Sequence, residues 1–476
     1  MDRVTPDRPW PLLEVAAIRR LEQRAAASLP PHALMQRAGL AVARLALALA
    51  PHSRTVWVAC GPGNNGGDGF EAALHLKVWG KEPIVTWLGD EARAPDDARA
   101  SLQRARAAGV TFAAEPPAAY DFALDALLGI GSTRAPGGAL LAHIERLNAG
   151  AAPVLAVDLP SALDADTGTA TACVHARHTL SLLALKPGLF TAQGRDAAGE
   201  VWFDDLQAAA SEAAAALLSG PPAAGPRLHA SHKGSYGDVA VIGGAPGMAG
   251  AALLCGRAAL HHGAGRVFVG FLDARAPALD ARQPDLMVRP WDSLDLAAMT
   301  VACGCGGGEA VRAALPRAFA ARALVLDADA LNAIAADPQL QALLAARGRR
   351  GAATVLTPHP LEAARLLAQG TGEVQGHRLG AARALAQRFG SVVVLKGSGS
   401  VVAGPDGSVR VNPTGNARLA VAGTGDVLAG MMAARLANGE DALEAASGAV
   451  YLHGLAADRW PAGEPLTASA LASRFA

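Results

Sequence analysis

The chain has 476 residues, 51% of them hydrophobic and 18% charged, and this length is too great for one core of ordinary size, so two or three domains are expected. Its 42 Lys and Arg residues balance 42 Asp and Glu residues. No net charge therefore attracts nucleic acid or an anionic membrane, although a local phosphate site remains open.

The N-terminus and the cysteines bear on location. Residues 1–20 carry charges where a signal peptide needs an apolar run, and no stretch reaches the roughly 18 apolar residues of a membrane span. The five cysteines are odd in number and scattered, which suits a reducing compartment and predicts a cytoplasmic location. Cys303 and Cys305 form a lone C-x-C without the second ligand pair of a zinc site.

Up to residue 206, short apolar runs alternate with segments of helical spacing that end in glycine. Helices are predicted over 70–80 and 96–109. Buried strands are predicted over 55–61, 83–89, 122–129 and 153–160. This alternation indicates a mostly parallel sheet covered by helices on both faces.

Residues 207–227 mark the clearest boundary. This Ala-rich run ends in Pro and Gly and lacks the alternation of a strand, so it predicts a short helix followed by an interdomain linker. We therefore expect one domain over 1–206 and a second over 228–476.

The alternation of strands and helices returns after the linker. Strands are predicted over 237–244, 265–272, 321–329, 353–360 and 391–397. Each ends in small or polar residues, and open α/β sheets bind ligands beyond the carboxyl ends of their strands. The informative residues of the sequence lie at these ends.

In the first half, the segment GPGNNGGDG (61–69) follows the strand predicted over 55–61. Its glycines can approach a ligand closely and adopt positive φ, and the next helix directs its first N–H groups toward an anion. This predicts a phosphate or pyrophosphate cradle. The spacing is not the G-x-G-x-x-G dinucleotide fingerprint, and a glycine-rich turn with Asn and Asp caps remains the alternative.

Two further strands of this half end in acids, Asp125 and Asp158. A single Asp at a strand end is usually a structural cap, but three polar strand ends on one sheet edge favour a site. Asn65, Asp125 and the Ser161 hydroxyl or carbonyl would supply the oxygen ligands that suit an alkali or alkaline-earth ion. A carboxylate such as Asp158 could exchange a proton with a ligand, with a nearby cation lowering its pKa and burial raising it.

These motifs resemble the NAD(P)H-hydrate epimerase family. The resemblance rests on GPGNNGGDG, DALLGIGSTR (125–134), AVDLPSALDADTG (156–168) and LMQRAG (34–39), and it covers nearly all of residues 10–205. It implies a potassium ion held by Asn65, Asp125 and Ser161. It further implies that the hydrated nucleotide is bound by Asn64, Asn65, Gly66, Gly67, Asp68, Gly129, Ile130, Gly131, Ser132, Thr133, Arg134, Ala135 and Asp158. Ala162 departs from the glycine that is usual in the family and could strain its turn, and the segment 130–132 varies the usual loop.

The second half carries AVAGTGDVLAGMMAA (420–434). Gly423, Thr424 and Gly425 would form an anion hole at a helix start, with Asp426 beside it to take a proton from a hydroxyl. A plain helix N-terminus capped by Thr or Asp is the alternative. No Walker motif is present, so the chain is not a P-loop enzyme.

The GTGD pattern is similar to that of ribokinase-like kinases, and further segments resemble the ADP-dependent NAD(P)H-hydrate dehydratase family. They are 228–254, 326–332, 357–367 and 394–402, within a match over 228–460. The residues that the resemblance places against the hydrated nicotinamide are Ala251, Gly306, His359 and Asp426. Those that it places against the adenine nucleotide are Lys396, Gly397, Ser398, Gly399, Ser400 and Gly425. GCGGG (304–308) departs from the family's Gly-Pro-Gly-Leu-Gly, and loss of the proline should loosen this loop.

Together these features predict an α/β protein with an N-terminal Rossmann-like three-layer domain and a C-terminal ribokinase-like α/β domain. The resemblance implies repair of hydrated NADH and NADPH, with Asp158 and Asp426 as catalytic residues. The first half would interconvert R and S hydrates, and the second would dehydrate the S form with ADP and Mg²⁺, releasing AMP and phosphate. We expect the chain to form a homo-oligomer and to have no nucleic-acid or membrane partner. The rival is a ribokinase-like small-molecule kinase with a nucleotide-sensing N-terminal domain.

Overall fold

The computed structural model describes residues 1–131, 134–208, 212–223, 225 and 228–474. The chain divides into two compact units, one formed by Met1–Thr5 and Trp10–Leu217, the other by Pro6–Pro9 and Leu218–Ala476. Among the described residues, no helix is both long and apolar enough to cross a membrane. All five cysteines are buried and unpaired.

The first unit is built on an eight-stranded sheet that is parallel except for its antiparallel first pair. In spatial order its strands are Asp2–Arg3, Glu200–Asp204, His178–Leu182, Val154–Val157, Phe122–Ala126, Thr55–Cys60, Glu82–Trp87 and Thr111–Ala113. The helices are Val15–Ala27, Ala33–Leu49, Asn64–Val78, Asp96–Ala107, Ala139–Ala149 and Gly194–Ala197. The four strands predicted before residue 207 are confirmed, whereas the strands at 178 and 200 were not predicted.

Alternating side chains of the central strand Thr55–Cys60 enter two different cores. Val56 and Val58 pack with the helices that begin at Val15, Ala33 and Asn64. Trp57 packs on the opposite face with Ile144 of the helix Ala139–Ala149. Helices therefore cover both faces of the sheet, which confirms the predicted three-layer arrangement.

The short helix predicted within 207–227 is wrong for the described part of that segment. Ala216–Leu218 is a strand whose residues are alternately buried, exposed and buried, and the Ala215 N–H donates to the Leu12 carbonyl at 2.9 Å. Helix propensity of alanine is a weak preference that tertiary contacts override. Residues 209–211, 224 and 226–227 of the predicted linker lie outside the described residues.

The second unit has seven parallel strands followed by an antiparallel hairpin. Its order is Met287–Val288, Arg266–Phe271, Asp238–Gly243, Thr300–Cys303, Ala323–Leu326, Thr354–Leu356, Val392–Leu395, Val401–Ala403 and Val409–Val411. Its helices are Ala249–His261, Val311–Ala318, Asp329–Ala335, Pro338–Arg349, Pro360–Leu367, Thr371–Gly376, Arg378–Phe389, Thr424–Ala437, Ala442–Asp458 and Ala468–Leu471. All five strands predicted after the linker are confirmed, whereas Thr300–Cys303 and the hairpin were not predicted.

Candidate active sites

The glycine turn of the first unit joins the strand Thr55–Cys60 to the helix Asn64–Val78. The positive φ expected for its glycines is wrong, because none of those at 61–69 has it. Space is what requires glycine there: a Cβ at Gly61 would lie 1.7 Å from the Leu127 carbonyl oxygen, and one at Gly66 would lie 2.1 Å from the Gly61 carbonyl oxygen. The turn therefore packs backbone to backbone against the next strand end.

A buried polar cluster forms where three strand ends meet. The Asp125 carboxylate, fully buried, accepts the Ser161 N–H at 2.8 Å and the Ser161 hydroxyl at 2.5 Å. Burial raises the pKa of Asp125 to about 6, against the lowering effect of these hydrogen bonds. The Asn65 side chain is 8% exposed, and neither its Oδ1 nor its Nδ2 has a hydrogen-bond partner among the described residues. Such an orphaned buried amide requires a partner.

Asp158 begins the segment after the strand Val154–Val157 and has φ of 73°. Its N–H donates to the Leu180 carbonyl, and its Oδ1 accepts the Leu182 N–H at 3.0 Å. The same oxygen is bound by the ammonium of Lys186, a fully buried residue that also donates to the Leu182 carbonyl and the Ser181 hydroxyl. A strained backbone and a buried ion pair thus hold one carboxylate in one position.

A cavity of about 850 Å³ adjoins these groups in the first unit. The predicted site residues that line it are Asn64, Asn65, Asp68, Gly129, Ile130, Gly131, Arg134 and Asp158. Gly66 and Gly67 instead pack against Gly61 and Met35, and Ala135 is exposed. Ser132 and Thr133 lie outside the described residues.

The cavity wall also contains acids that sequence reasoning missed. Glu22 and Asp97 line it together with Asp68 and Asp158. Burial, followed by the charge of Asp158, raises the pKa of both Asp68 and Glu22. Arg19 and Arg134 supply positive charge to the same wall. Glu22 lies in the helix Val15–Ala27, distant in sequence from the glycine motifs, and no sequence motif indicates its role.

Ala162 follows Ser161 with φ of 69°. An L-residue with a Cβ is strained in this region, where glycine is not. The strain expected from the missing glycine is therefore present in the backbone beside the polar cluster.

In the second unit, the corresponding cluster centres on Asp327 at the end of the strand Ala323–Leu326. Its Oδ1 accepts the Lys396 ammonium at 2.7 Å and the Thr357 hydroxyl at 2.6 Å, and its Oδ2 lies 4.0 Å from the Cys305 thiol sulfur. The Cys305 sulfur and one carboxylate oxygen from each of Asp327 and Asp426 lie within 4.8 Å of one another. Four strand ends and one helix start thus meet at one point.

The GTGD segment begins the helix Thr424–Ala437, and Gly423 precedes it with φ of 91°. The Thr424 hydroxyl donates to the Leu419 carbonyl at 2.9 Å, and the His453 Nε2 lies 3.0 Å from the Thr424 carbonyl oxygen. The first N–H groups of a helix have no acceptor within it and attract an anion. Burial and the charge of Asp327 raise the pKa of Asp426 to about 6.

The structure brings several predicted residues of the second unit together around this helix start. A Cβ at Gly306 would lie 2.9 Å from the Ala251 Cβ, and one at Gly425 would lie 3.5 Å from the Lys396 Nζ. The loop 304–308 is anchored by backbone hydrogen bonds from the Gly244 N–H to the Cys305 carbonyl at 3.0 Å and from the Ala245 N–H to the Gly306 carbonyl at 2.7 Å. The loop thus has fixed anchors despite lacking proline.

His359 caps the helix Pro360–Leu367. Its Nδ1 accepts the Leu361 N–H at 3.1 Å and the Glu362 N–H at 3.3 Å, while its side chain is 46% exposed. Because Nδ1 is an acceptor, the neutral ring carries its proton on Nε2. Burial and the Lys396 charge lower the pKa of His359 and favour this neutral form.

The segment 396–400 forms the turn between the strands Val392–Leu395 and Val401–Ala403. Gly397 and Gly399 have φ of 134° and 61°, and the Ser400 hydroxyl donates to the Gly397 carbonyl at 3.2 Å. The Lys396 N–H donates to the Pro358 carbonyl at 2.9 Å. The turn therefore directs the Lys396 ammonium toward Asp327 beside the GTGD helix.

Two central residues were missed by sequence reasoning although a signal existed. Lys186 is a single cation within the apolar run LSLLALKPGLF (180–190), and a cation buried in such a run needs an anionic partner. Asp327 lies within LDADALN (326–332) directly after a strand. This segment is one of those that carry the family resemblance, and the position of Asp327 at the strand end was the signal.

These observations describe a protein of two α/β units, each with a candidate site at the carboxyl ends of its parallel strands. The profile of YjeF-related protein N-termini matches residues 31–188, and that of the NAD(P)H-hydrate dehydratase family matches residues 239–474. A bifunctional NAD(P)H-hydrate repair enzyme of Escherichia coli is 39% identical over 93% of this chain and 88% of its own length. The chain belongs to this family of bifunctional NAD(P)H-hydrate repair enzymes.

Other relatives agree for the whole chain and for one half. A bifunctional NAD(P)H-hydrate repair enzyme of Leishmania braziliensis is 35% identical over 93% of this chain and 88% of its own length. An ADP-dependent (S)-NAD(P)H-hydrate dehydratase of Neisseria meningitidis is 42% identical over 52% of this chain and 86% of its own length. The single-activity relative therefore corresponds to about half of this chain.

Proposed function

We propose that this chain repairs hydrated NADH and NADPH in two steps, epimerising the R and S hydrates in its first unit and dehydrating the S hydrate with ADP in its second. The observation that carries this proposal is the pairing of two separate strand-end sites with family membership over both halves. Both activities act on one ligand, which is a chemical reason for joining them.

In the first unit, Asp158 would act as the acid/base at the hydroxyl-bearing C6. Protonation of the hydroxyl would let it leave as water while the ring nitrogen supplies electrons, and water would return on the other face. Asn64, Asp68, Arg134 and the described part of loop 129–135 would bind the nucleotide. This assignment is supported by the cavity that these side chains line beside the Lys186-bound carboxylate.

Potassium is proposed to join Asn65, Asp125 and Ser161. The donors fit a hard cation because all three offer oxygen, and the Asn65 amide has no partner among the described residues. The ion would also offset the charge of a carboxylate that is fully buried. Bound there, it would supply a fixed positive charge between three loops.

In the second unit, Asp426 would take the proton of the C6 hydroxyl as its oxygen attacks the β-phosphoryl group of ADP, releasing AMP. Loss of phosphate with the C5 proton would then form the dihydropyridine double bond. Ala251, Gly306 and His359 would face the nicotinamide, and the segment 396–400 with Gly425 would face ADP. Mg²⁺ is proposed to arrive with the ADP phosphates, since carboxylates and phosphate oxygens suit it.

The test is recovery of dihydropyridine absorbance from a mixed R and S hydrate preparation, with and without ADP. We expect no recovery without ADP and recovery beyond the initial S fraction with it. Recovery limited to the S fraction would contradict epimerisation. A stable phosphorylated small molecule as the only product would instead support a ribokinase-like kinase with a nucleotide-sensing first half.

We also propose that residues 1–206 and 228–476 fold as independent domains, joined by 207–227. The support is the presence of a separate core and a separate site in each compact unit. Fragments with these limits should each be soluble and retain their own activity. Inactivity of both fragments beside an active full chain would contradict this boundary. A cytoplasmic location and a homo-oligomeric state stay predictions.

A further inference from the structure

We propose that Cys305 is a positioning residue of the second site, whose thiol donates to the carboxylate pair of Asp327 and Asp426 and so favours the ionised form of Asp426 that accepts the substrate proton. This inference rests on the proposed role of Asp426. It concerns the second residue of the loop GCGGG (304–308), whose thiol is the only side-chain hydrogen-bond donor in that loop.

The thiol lies close to two carboxylates. The Cys305 sulfur lies 4.0 Å from the Asp327 Oδ2 and within 4.8 Å of a carboxylate oxygen of Asp426. The Asp327 Oδ1 is occupied by Lys396 and Thr357. The thiol therefore lies next to the Asp327 Oδ2, which neither of these two donors contacts, and within 4.8 Å of a carboxylate oxygen of Asp426.

The thiol can act here only as a donor in its neutral form. Cys305 is 1% exposed. Its hydrogen bond with Cys255, its burial and the charges of Asp426 and Asp327 raise the pKa of the thiol well above its usual value. Its single hydrogen can point to the Cys255 sulfur or to a carboxylate, and an ionised carboxylate is the stronger acceptor. The hydrogen bond can therefore turn from Asp426 to Asp327 once Asp426 has taken a proton.

Several other groups face Asp426. Asp327 and Asp329 oppose its ionisation by like charge, the Lys396 ammonium favours ionisation, and His453 contacts the Thr424 carbonyl at the start of the same helix. Burial is the largest cause that raises the pKa of Asp426 to about 6, and the Cys305 hydrogen bond acts against it. Removal of the thiol should therefore shift the titration of Asp426 to higher pH.

The experiment is the pH dependence of kcat/KM for ADP-dependent dehydration by the full chain, between about pH 5 and 9. Cys305→Ala should move the acidic limb, near pH 6 in the unchanged chain, to higher pH by about 0.4–1 unit, the size expected for one hydrogen bond from a weak thiol donor. Cys305→Ser, which keeps a donor, should leave the limb at or below its original position.

Cys303→Ala is the matched control. Cys303 is 1% exposed and two residues away, but burial is the only cause of its own raised pKa, so no carboxylate affects it. Its pH profile should coincide with that of the unchanged chain. Coincidence of the Cys305→Ala profile with that of the unchanged chain overturns the proposal. If Cys305→Ala fails to fold, a limb moved upward in Cys305→Ser overturns it instead.

The role of Asp426 is tested separately by Asp426→Asn. An inactive Asp426→Asn beside an unmoved Cys305→Ala limb rejects only the thiol's role. Near-normal turnover in Asp426→Asn rejects the base assignment itself.

Discussion

The two units each pair a lysine with an aspartate at a strand end, fully buried Lys186 in the first and half-buried Lys396 in the second, but they use the pair differently. In the first unit, Lys186 binds Asp158, the proposed acid/base itself. In the second, Lys396 forms its ion pair with Asp327, and the neighbouring Asp426 is not the partner of that ammonium. The first site therefore holds its proposed reacting carboxylate in place with an ammonium, whereas in the second, burial and the like charge of Asp327 raise the pKa of the proposed base, Asp426.

The largest effect is expected from removal of the first ammonium. Lys186→Met leaves Asp158, whose side chain is 15% exposed, without its cation. Breaking a buried pair from one side typically costs about 3–5 kcal/mol. We expect thermal unfolding of the first unit to shift downward and epimerisation to be lost, with ADP-dependent dehydration of purified S hydrate retained.

The double variant Lys186→Met with Asp158→Asn provides the control. It removes both charges, so it should recover most of the lost stability but no epimerisation. Equal instability of the single and double variants would show that Lys186 matters for packing rather than as the partner of Asp158.

The second site should lose reaction rate without losing stability. Asp426→Asn retains shape and removes the base, so kcat for dehydration should fall by at least about 100-fold. The unfolding temperature should rise at neutral pH rather than fall, because burial and the charge of Asp327 oppose the ionised form of Asp426 that asparagine replaces. Single-turnover dehydration with ADP measures the rate, and unchanged epimerisation is the internal control.

Potassium should stabilise the first unit in a pH-dependent way. The pKa of Asp125 is raised to about 6 in the folded chain, so the buried carboxylate opposes folding above that pH and is neutralised below it. An ion bound to Asp125 needs the ionised form. The shift in unfolding temperature between potassium and a large organic cation should be present at pH 7.5 and lost as the pH falls below about 6.

Asp125→Asn is the variant to compare. It should remove both the potassium effect and its pH dependence. Equal unfolding temperatures in the two salts at pH 7.5 for the unchanged chain would contradict the potassium site. A potassium effect that persists at pH 5 would show that Asp125 does not bind the ion.

Much of this comparison could be predicted from sequence. Strand patterns with glycine or acid at their ends placed Asn65, Asp125 and Ser161 at one sheet edge, because parallel strands end together. The side chains that complete each site could not be predicted in this way. Lys186 and Glu22 lie far from the glycine motifs, and only the folded chain shows which carboxylate each approaches.

Backbone conformation was partly predictable too. The turn at 61–69 needs glycine for close packing rather than for positive φ, a distinction that depends on how near Leu127 lies. The strand Ala216–Leu218 was hidden by alanine, which carries little pattern of its own. The alanine at position 162, where the resembled family usually has glycine, was visible in the sequence, and the structure shows its consequence as a positive φ of 69°.

The smallest effect is expected at Ala162. With φ of 69°, its Cβ is strained, so Ala162→Gly should remove a local cost of roughly 1–2 kcal/mol and add back part of it through greater freedom of the unfolded chain. We expect net stabilisation of the first unit by about 0.5–1 kcal/mol, seen as a rise in unfolding temperature of roughly 1–4 °C. Ala142→Gly is the matched control, because Ala142 is exposed within the regular helix Ala139–Ala149, where glycine should destabilise by about 1 kcal/mol. Opposite signs for the two variants support strain at Ala162. Destabilisation by both would show that the contacts of the Ala162 methyl group with the core around Trp57 outweigh its backbone conformation.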